Sequence, residues 1–293
     1  MLTVRAPATS ANLGSGFDVF GLALDAPADV VRVERAAETT IELTGAGSQY
    51  IPEDPAKNTA GVVAQELDAP ARILIDKGVR PASGLGSSAA SAAGAAVALN
   101  ALYDRGLSDE ELVRVAAEGE AVVSGAAHAD NVAPAIFGGF TVARGDGVTH
   151  VDASLPLVVC LPDIVVSTRD ARRVVPDSVA MDDVVETVGS AATLAIGMAR
   201  DDPSLVGRGL HESVVTPRRA ELVTGYDAAR AAALDAGATG VTISGAGPGV
   251  LAVCRTHEGR RHVAGAMVEA FDAAGVDARA YQTAVGDGAR LFR

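Results

Sequence analysis

The chain has 293 residues, 48 % of them hydrophobic and 21 % charged, which are globular proportions and exclude a disordered or collagen-like chain. A formal net charge of −13 leaves no excess of cations to displace phosphate counterions, which also excludes a general nucleic-acid binder. The length suits one large domain or two of ordinary size.

The first half opens with β-rich pieces at residues 2–6, 19–25, the alternating 30–34, 41–44 and 72–75. An alanine-rich helix is predicted over 87–103. Ser108 and Glu111 form an S-x-x-E capping box that starts a second helix running to about Gly119. A strand at 140–143 follows, then the turn-rich stretch 144–147 and two apolar runs split by Pro162 and Asp163. In the second half the pattern predicts helices at 183–199, 204–214, 225–235 and 259–273, with strands at 241–244, 250–254 and 278–282. Strands and helices mixed without a strict βαβ rhythm favour an α+β fold. The change of rhythm puts a domain boundary near 145–152, giving domains of 1–150 and 151–293.

No segment offers the ~20 strongly apolar residues of a membrane span, and the start of the chain, MLTVRAPATSANLG, does not read as a signal peptide. The chain therefore reads as cytoplasmic, with no membrane partner and no nucleic-acid partner. Cys160 and Cys254 sit in apolar runs and read as buried hydrophobes, not as a disulfide or metal site. Only two of the 24 basic residues are lysine, Lys57 and Lys77. An arginine-for-lysine, strongly acidic surface suits concentrated salt, where screening over ~3 Å at 1 M shortens the reach of self-repulsion; the composition points to a halophilic source.

Two glycine clusters carry the chemistry. In SGLGSSAAS (83–91) two glycines and two serines stand directly before the alanine-rich helix. Glycines let backbone approach a ligand closely, and the first helical N–H groups point outward unpaired, which makes an anion site. The Ser87 and Ser88 hydroxyls can add donors or, at Ser88, a ligand for a nucleotide's magnesium. From spacing alone, a serine-capped turn leading into a packed helix accounts for the same residues. Neither a Walker loop nor a dinucleotide fingerprint is present. The second cluster, ISGAGPGVLAVC (243–254), lies between two strand-like runs and alone reads as a hairpin turn.

Three blocks together, APATSANLGSGFD (6–18), GLGSSAAS (84–91) and SGAGPG (244–249), resemble the GHMP kinase superfamily over essentially the whole chain. TSANLGSGFDVFGLALD and HADNVAPAIFGG (128–139) narrow the resemblance to its homoserine kinase branch. One departure stands out. The superfamily spells the second block with a proline four residues before the first glycine, and here Arg80 holds that place with Pro81 beside it.

The resemblance implies a two-domain α+β GHMP kinase fold. It has an N-terminal nucleotide-binding domain of mixed sheet and helices, a C-terminal ferredoxin-like α/β sandwich, and the active site between them. It implies ATP and Mg2+ as cofactors, with the phosphates over Gly84, Leu85, Gly86, Ser87 and Ser88. Gly245 and Gly247 would stand close by, magnesium would be held by Ser88 and Glu120, and Asn58 would help seat the adenine. Asn12 and Asp18 are implied for a substrate's amino end, and Arg172 with Arg219 for its carboxylate, a pairing suited to forked guanidiniums. Arg173 and Arg218 adjoin these arginines, so a one-residue register error stays open. His128, Asp130 and Asn131 lie within four residues and can converge on one hydroxyl, while Thr168 can bind the phosphate or the substrate. Where other branches of the superfamily use a carboxylate as general base, Asp130 is the candidate here, although a loose phosphoryl-transfer transition state also permits direct attack by the hydroxyl, and the choice between Asp130 and Asn131 stays open.

The implied activity is ATP-dependent phosphorylation of the L-homoserine hydroxyl to O-phospho-L-homoserine on the way to threonine, by an enzyme whose relatives suggest a homodimer. Two rivals remain at this level. One keeps the fold and takes another carboxylate-bearing alcohol, mevalonate- or shikimate-type, for which Asp18 would have no ammonium to meet. The other is a non-catalytic metabolite sensor, against which the presence of Ser88, Glu120, Arg172 and Arg219 speaks.

Overall fold

The computed structural model describes residues 1–124, 129–145 and 147–292. β1 (Leu2–Ala11) and β2 (Phe20–Arg35) pair antiparallel, with a register shift between Pro7 and Ala8. Proline donates nothing to a ladder, and a bulge is where a strand tolerates one. β2 runs on through residues 25–29, so the strands expected at 19–25 and 30–34 are a single 16-residue strand. β3 (Thr40–Gly45) and β4 (Ala71–Lys77) pair in parallel. Between them lies α1 (Thr59–Glu66), a two-turn helix too short to show a period.

α2 (Ser87–Tyr103) spans the predicted residues, and ten of its seventeen are buried. Alanine is the best helix former and its small side chain lets the helix lie close on the sheet. At Gly94 a Cβ would come within 2.6 Å of the Val31 side chain. α3 (Asp109–Ser124) starts at the expected capping box, where Ser108 N–H donates to Glu111 Oε2 at 2.8 Å. It passes beyond Gly119 because that glycine is a contact point rather than a stop: a Cβ there would lie 2.9 Å from the Thr59 carbonyl oxygen. α4 (Ala129–Phe137) was not predicted, its pattern being hidden by the internal Pro134. β5 (Phe140–Arg144) and β6 (Gly147–Val151) form a hairpin joined to β2.

The second half contains β7 (Pro156–Pro162), α5 (Thr168–Arg173), α6 (Met181–Ala199), α7 (Pro203–Gly209), α8 (Thr216–Ala220), α9 (Tyr226–Asp235), β8 (Ala238–Ile243), β9 (Val250–Cys254), α10 (Arg260–Ala273) and β10 (Ala278–Ala284), and the chain ends in β11 (Arg290–Leu291). The helix expected over 204–214 stops at Gly209. Beyond it the Glu212 carboxylate takes the backbone N–H groups of Val214, Val215 and Thr216, which redirects the chain into α8.

Among the described residues the strands make two sheets. One has the order β11-β1-β2-β4-β3 with β5 and β6 attached, and the other the order β10-β7-β9-β8. The second is antiparallel throughout, and its β-α-β-β-α-β order is that of a ferredoxin-like sandwich, as expected. β11 crosses back to pair Val4 and Arg5 of β1, so the end of the chain closes the first sheet. One core lies between that sheet and α1–α4, another under α9 and α10, and a third joins the two halves through Leu13, Leu22 and Phe140 on one side and Leu157, Val159 and Leu251 on the other. Both cysteines are buried in the second half and free. Among the described residues no helix is long and apolar enough to cross a membrane.

Candidate active site

The two glycine clusters, far apart in the chain, meet in space. Ser244, at the end of β8, donates from its hydroxyl to the Gly84 carbonyl at 2.7 Å, and Gly249 N–H donates to the Ser83 carbonyl at 3.1 Å. A Cβ at Gly84 would lie 2.4 Å from the Ser244 carbonyl oxygen and 2.9 Å from that of Gly247. Gly245 N–H donates to Ala11 O at 3.1 Å, so the β8–β9 turn clamps the loop against β1. Gly245 and Gly247 thus brace the loop from behind.

Within the loop Ala82, Gly84 and Gly86 have positive φ (54°, 76° and 60°). The left-handed residue at Ala82 is how the chain enters the loop after the displaced proline. The guanidinium of Arg80 meets Asp163 of the other half at 3.0 Å, and its carbonyl accepts from the Ser83 hydroxyl at 2.7 Å. Leu85 is buried in the core beneath the loop. The Ser87 hydroxyl is spent on the Val79 carbonyl at 2.7 Å, so this serine offers its backbone rather than its side chain.

Ser88 and Glu120 come together as expected: the hydroxyl donates to Glu120 Oε2 at 3.0 Å. Burial pushes the Glu120 carboxyl up to about 7; the Ser88 hydrogen bond and Lys77 pull it down, and Asp130 adds to the rise. A buried carboxylate with an adjoining hydroxyl is a hard-oxygen donor pair of the kind magnesium takes, with the remaining positions left to phosphate and water. Among the described residues no three His, Cys, Asp or Glu side chains gather into a metal site of their own.

Asn58 is occupied elsewhere. It caps α1, its Oδ1 accepting from Ala60 N–H at 3.0 Å while its Nδ2 donates to Pro52 O at 2.8 Å. It shapes the wall in front of α2, where the Thr59 hydroxyl reaches the Ser88 carbonyl at 3.4 Å.

The third corner joins both halves of the chain. Asn12, at φ 69°, accepts from Asp18 N–H at 2.9 Å and so closes the 12–18 turn. The Asp18 carboxylate receives both arms of Arg172, at 2.6 and 3.1 Å. Arg172 and Arg219 sit 5.2 and 5.1 Å from the Phe17 ring. Arg219 is buried and anchored to the carbonyls of Gly245 (2.7 Å) and Ala171 (3.3 Å). Burial lowers its pKa, and Asp18 is the largest opposing influence. The neighbouring arginines point elsewhere: Arg173 pairs with Asp170 at 3.3 Å, and Arg218 donates to the Val214 carbonyl. Thr168 is exposed at the first turn of α5, four residues before Arg172 and hence on the same helix face.

Asp130 and Asn131 lie between these corners. Asp130 is buried, and its charge is felt by both Glu120 and Arg219. The Asn131 Oδ1 accepts from the Thr9 hydroxyl at 2.9 Å directly under Gly86. His128 falls outside the described residues.

Three groups escaped sequence reasoning. Thr9 stands inside the first motif, but nothing in its spacing reveals a partner 122 residues away. Lys77 is fully buried against Asp29 and donates to the Ser91 hydroxyl and the Ser87 carbonyl, each at 2.8 Å, which braces the start of α2 from below. Its rarity was the available signal, since it is one of two lysines in the chain. Glu212 holds the turn before α8 and thereby the helix that carries Arg219.

Comparison with known proteins adds an independent finding. Residues 55–139 match the GHMP kinases N terminal domain and residues 194–273 the GHMP kinases C terminal family. The chain is 74 % identical to the homoserine kinase of Halorubrum lacusprofundi, over 100 % of this chain and 99 % of that protein. It is 50 % identical to that of Methanocella arvoryzae, over 99 % and 97 %. Among solved structures, a homoserine kinase from Cytophaga hutchinsonii superposes with a TM-score of 0.90 at 35 % identity, covering 99 % of this chain and 97 % of that one. A mevalonate kinase of L. major shares the fold alone, with a TM-score of 0.75 at 16 % identity over 97 % and 95 %.

Proposed function

Since the chain belongs to the homoserine kinase family of GHMP kinases, we propose that it transfers the γ-phosphoryl group of ATP to the hydroxyl of L-homoserine. In that reaction the hydroxyl oxygen bonds to the γ-phosphorus as the bridge to the β-phosphate breaks, and ADP leaves with the electron pair. The proton passes to Asp130 or leaves with the transferred phosphoryl group. The observation that carries the choice of substrate is the Phe17 corner, where an acid and two arginines converge beside the loop. An α-amino acid brings an ammonium for Asp18 and a carboxylate for Arg172 and Arg219. In this reading the substrate takes over the partners that Asp18 and Arg172 now give each other.

The phosphates lie over Gly84 to Ser88, met by the backbone N–H groups at the start of α2. Ser88 and Glu120 are the residues that would hold Mg2+, which when bound neutralises phosphate charge. Asn58 supports the adenine wall through its cap. Gly245 and Gly247 act by holding the loop, and Thr168 faces the transferring group from α5. Catalysis then rests on positioning and charge stabilisation rather than a covalent intermediate. The reaction draws on the cytoplasmic ATP pool, and the acidic, arginine-rich composition matches relatives from halophilic archaea.

The homodimer implied by the resemblance has a candidate face. Met181, Val184, Val185, Val188 and Ile196 stand exposed along α6, with Val179 just ahead of it.

A coupled ADP-release assay over L-homoserine, mevalonate and shikimate, run with ATP and magnesium in high salt, tests the substrate. Turnover of homoserine at a kcat/KM at least ~100-fold above the others is the expected result. Preference for an alcohol without an amine overturns the reading. Light scattering on the same preparation gives the particle mass.

A further inference from the structure

We infer that Thr9 is a positioning residue for the transfer step: it fixes which face the Asn131 amide turns toward the reacting hydroxyl and ties that amide to the phosphate loop. The inference rests on the kinase reading above and goes beyond it, because Thr9 itself touches neither ATP nor homoserine in that scheme.

Thr9 is fully buried near the end of β1. Its backbone N–H donates to the Leu85 carbonyl at 3.1 Å, inside the loop, and its hydroxyl donates to Asn131 Oδ1 at 2.9 Å. A Cβ at Gly86 would lie 2.0 Å from the Thr9 hydroxyl oxygen and 2.8 Å from Asn131 Oδ1, so loop backbone, hydroxyl and amide are packed against one another. One residue of β1 therefore holds the loop with its main chain and α4 with its side chain.

The same contacts decide the amide's orientation. A threonine hydroxyl has a single proton to give, and here Asn131 Oδ1 receives it. The amide's other end, Nδ2, points to Asp130 Oδ1 at 3.5 Å. Flipping the amide would set Oδ1 against that carboxylate and leave the proton of the buried Thr9 without its acceptor, both unfavourable beside a half-buried amide. Asn131 is thus held with its donor end, Nδ2, on the Asp130 side. A donor stabilises charge growing on the transferring phosphoryl oxygens and cannot take the substrate's proton. An asparagine amide is no base in either orientation, so what Thr9 decides is whether Asn131 offers a donor or an acceptor.

The test compares Thr9→Val, which keeps the shape and the N–H bond to Leu85 but removes the hydroxyl, with Thr9→Ser, which restores the hydroxyl. Loss of one oriented hydrogen bond predicts a fall of about tenfold in kcat for Thr9→Val, with both KM values within about twofold of wild type and Thr9→Ser within about threefold in kcat. In an Asn131→Ala background, Thr9→Val should lower kcat no further. Equal kcat in wild type and Thr9→Val overturns the inference, as does a loss that Thr9→Ser shares or one confined to KM or to melting temperature. If the valine variant does not fold, Thr9→Ala set against Thr9→Ser makes the same comparison. Wild-type protein that fails to phosphorylate homoserine refutes the kinase reading instead, so the two failures are told apart by the parent enzyme alone.

Discussion

At the phosphate loop the close approaches are between main-chain segments, with hydroxyls and Lys77 tying down the carbonyls, whereas at the Phe17 corner charged and aromatic side chains meet one another. Gly84, Gly86, Gly245 and Gly249 approach one another and β1 so closely that a Cβ on any of them would meet a neighbour within 2.0–3.1 Å. Backbone amides can serve any polyphosphate, and what the sequence must supply there is the absence of side chains. The other corner depends on four particular side chains, those of Phe17, Asp18, Arg172 and Arg219. Two of its members are held by devices of their own: Asn12 closes the turn that carries Asp18, and Glu212 starts the helix that carries Arg219. On the proposed reading, the nucleotide end is therefore shared architecture, and the acceptor end is where an individual substrate is written.

The contrast predicts different failures at the two ends. The largest effect belongs to the loop. Gly86→Val puts a branched side chain at positive φ onto the Thr9 hydroxyl and Asn131. Either the loop moves or β1 and α4 do, and kcat/KM should fall at least ~1,000-fold with both substrates affected, as when several oriented donors are lost together. Steady-state kinetics with a melting curve separates loop distortion from unfolding. Full activity would mean that the phosphates lie elsewhere.

The acceptor corner should fail selectively. Arg219→Leu removes the buried guanidinium and its hydrogen bond to the Gly245 carbonyl, while the ties of Ser244 and Gly249 to the loop remain, and the expected result is a rise of ~100-fold or more in the homoserine KM, the cost of depriving a buried carboxylate of a charged partner. The KM for ATP should stay within about twofold. If both KM values rose together, the two corners would not be the separate devices their construction suggests.

The two corners also differ in how far they could be read without coordinates. The loop was legible because its chemistry is local: glycines, serines and an alanine helix stand consecutively, and residues 87–103 form the helix their composition dictates. The acceptor corner was not, because Asp18, Arg172 and Arg219 are brought together only by tertiary folding. Family resemblance could nominate those arginines, but only burial and hydrogen bonding separate Arg219 from Arg218. The same reasoning explains the misread elements. The break at residues 25–29 is a chemical interruption inside a continuous strand, tolerated because the ladder carries a bulge near it. The helix expected over 204–214 obeyed its local pattern only until Glu212 captured the backbone ahead of it. Thr9 and Lys77 show the limit most clearly, since each acts through a partner whose position along the chain no periodicity encodes.

The smallest predicted effect lies at Glu120, the carboxylate paired with the Ser88 hydroxyl at the start of α2. Its carboxyl is raised from 4.5 to about 7, chiefly by burial, with Ser88 and Lys77 opposing and Asp130 reinforcing the rise. A group whose pKa is higher in the folded than in the unfolded chain stabilises the fold most below the unfolded value, and that contribution is lost as pH rises through the folded one. In metal-free protein, Glu120 should therefore make the fold less stable at pH 8 than at pH 5, with the change falling between about 4.5 and 7. A bound divalent cation favours the charged carboxylate and should oppose this trend, while proton competition weakens magnesium binding below about pH 7. Melting temperatures at pH 5 and pH 8, with chelator and with excess magnesium, read out both signs. Glu120→Gln, which cannot ionise, should flatten the chelated profile and lose the magnesium response. Arg219→Leu keeps Ser88 and Glu120 and should therefore retain the wild-type pH profile and magnesium response if, as proposed, those two residues hold the metal. A wild-type profile equally flat in chelator would mean that Glu120 is already ionised without metal, and the hydroxyl–carboxylate pair would then need a different explanation from the one its burial gives.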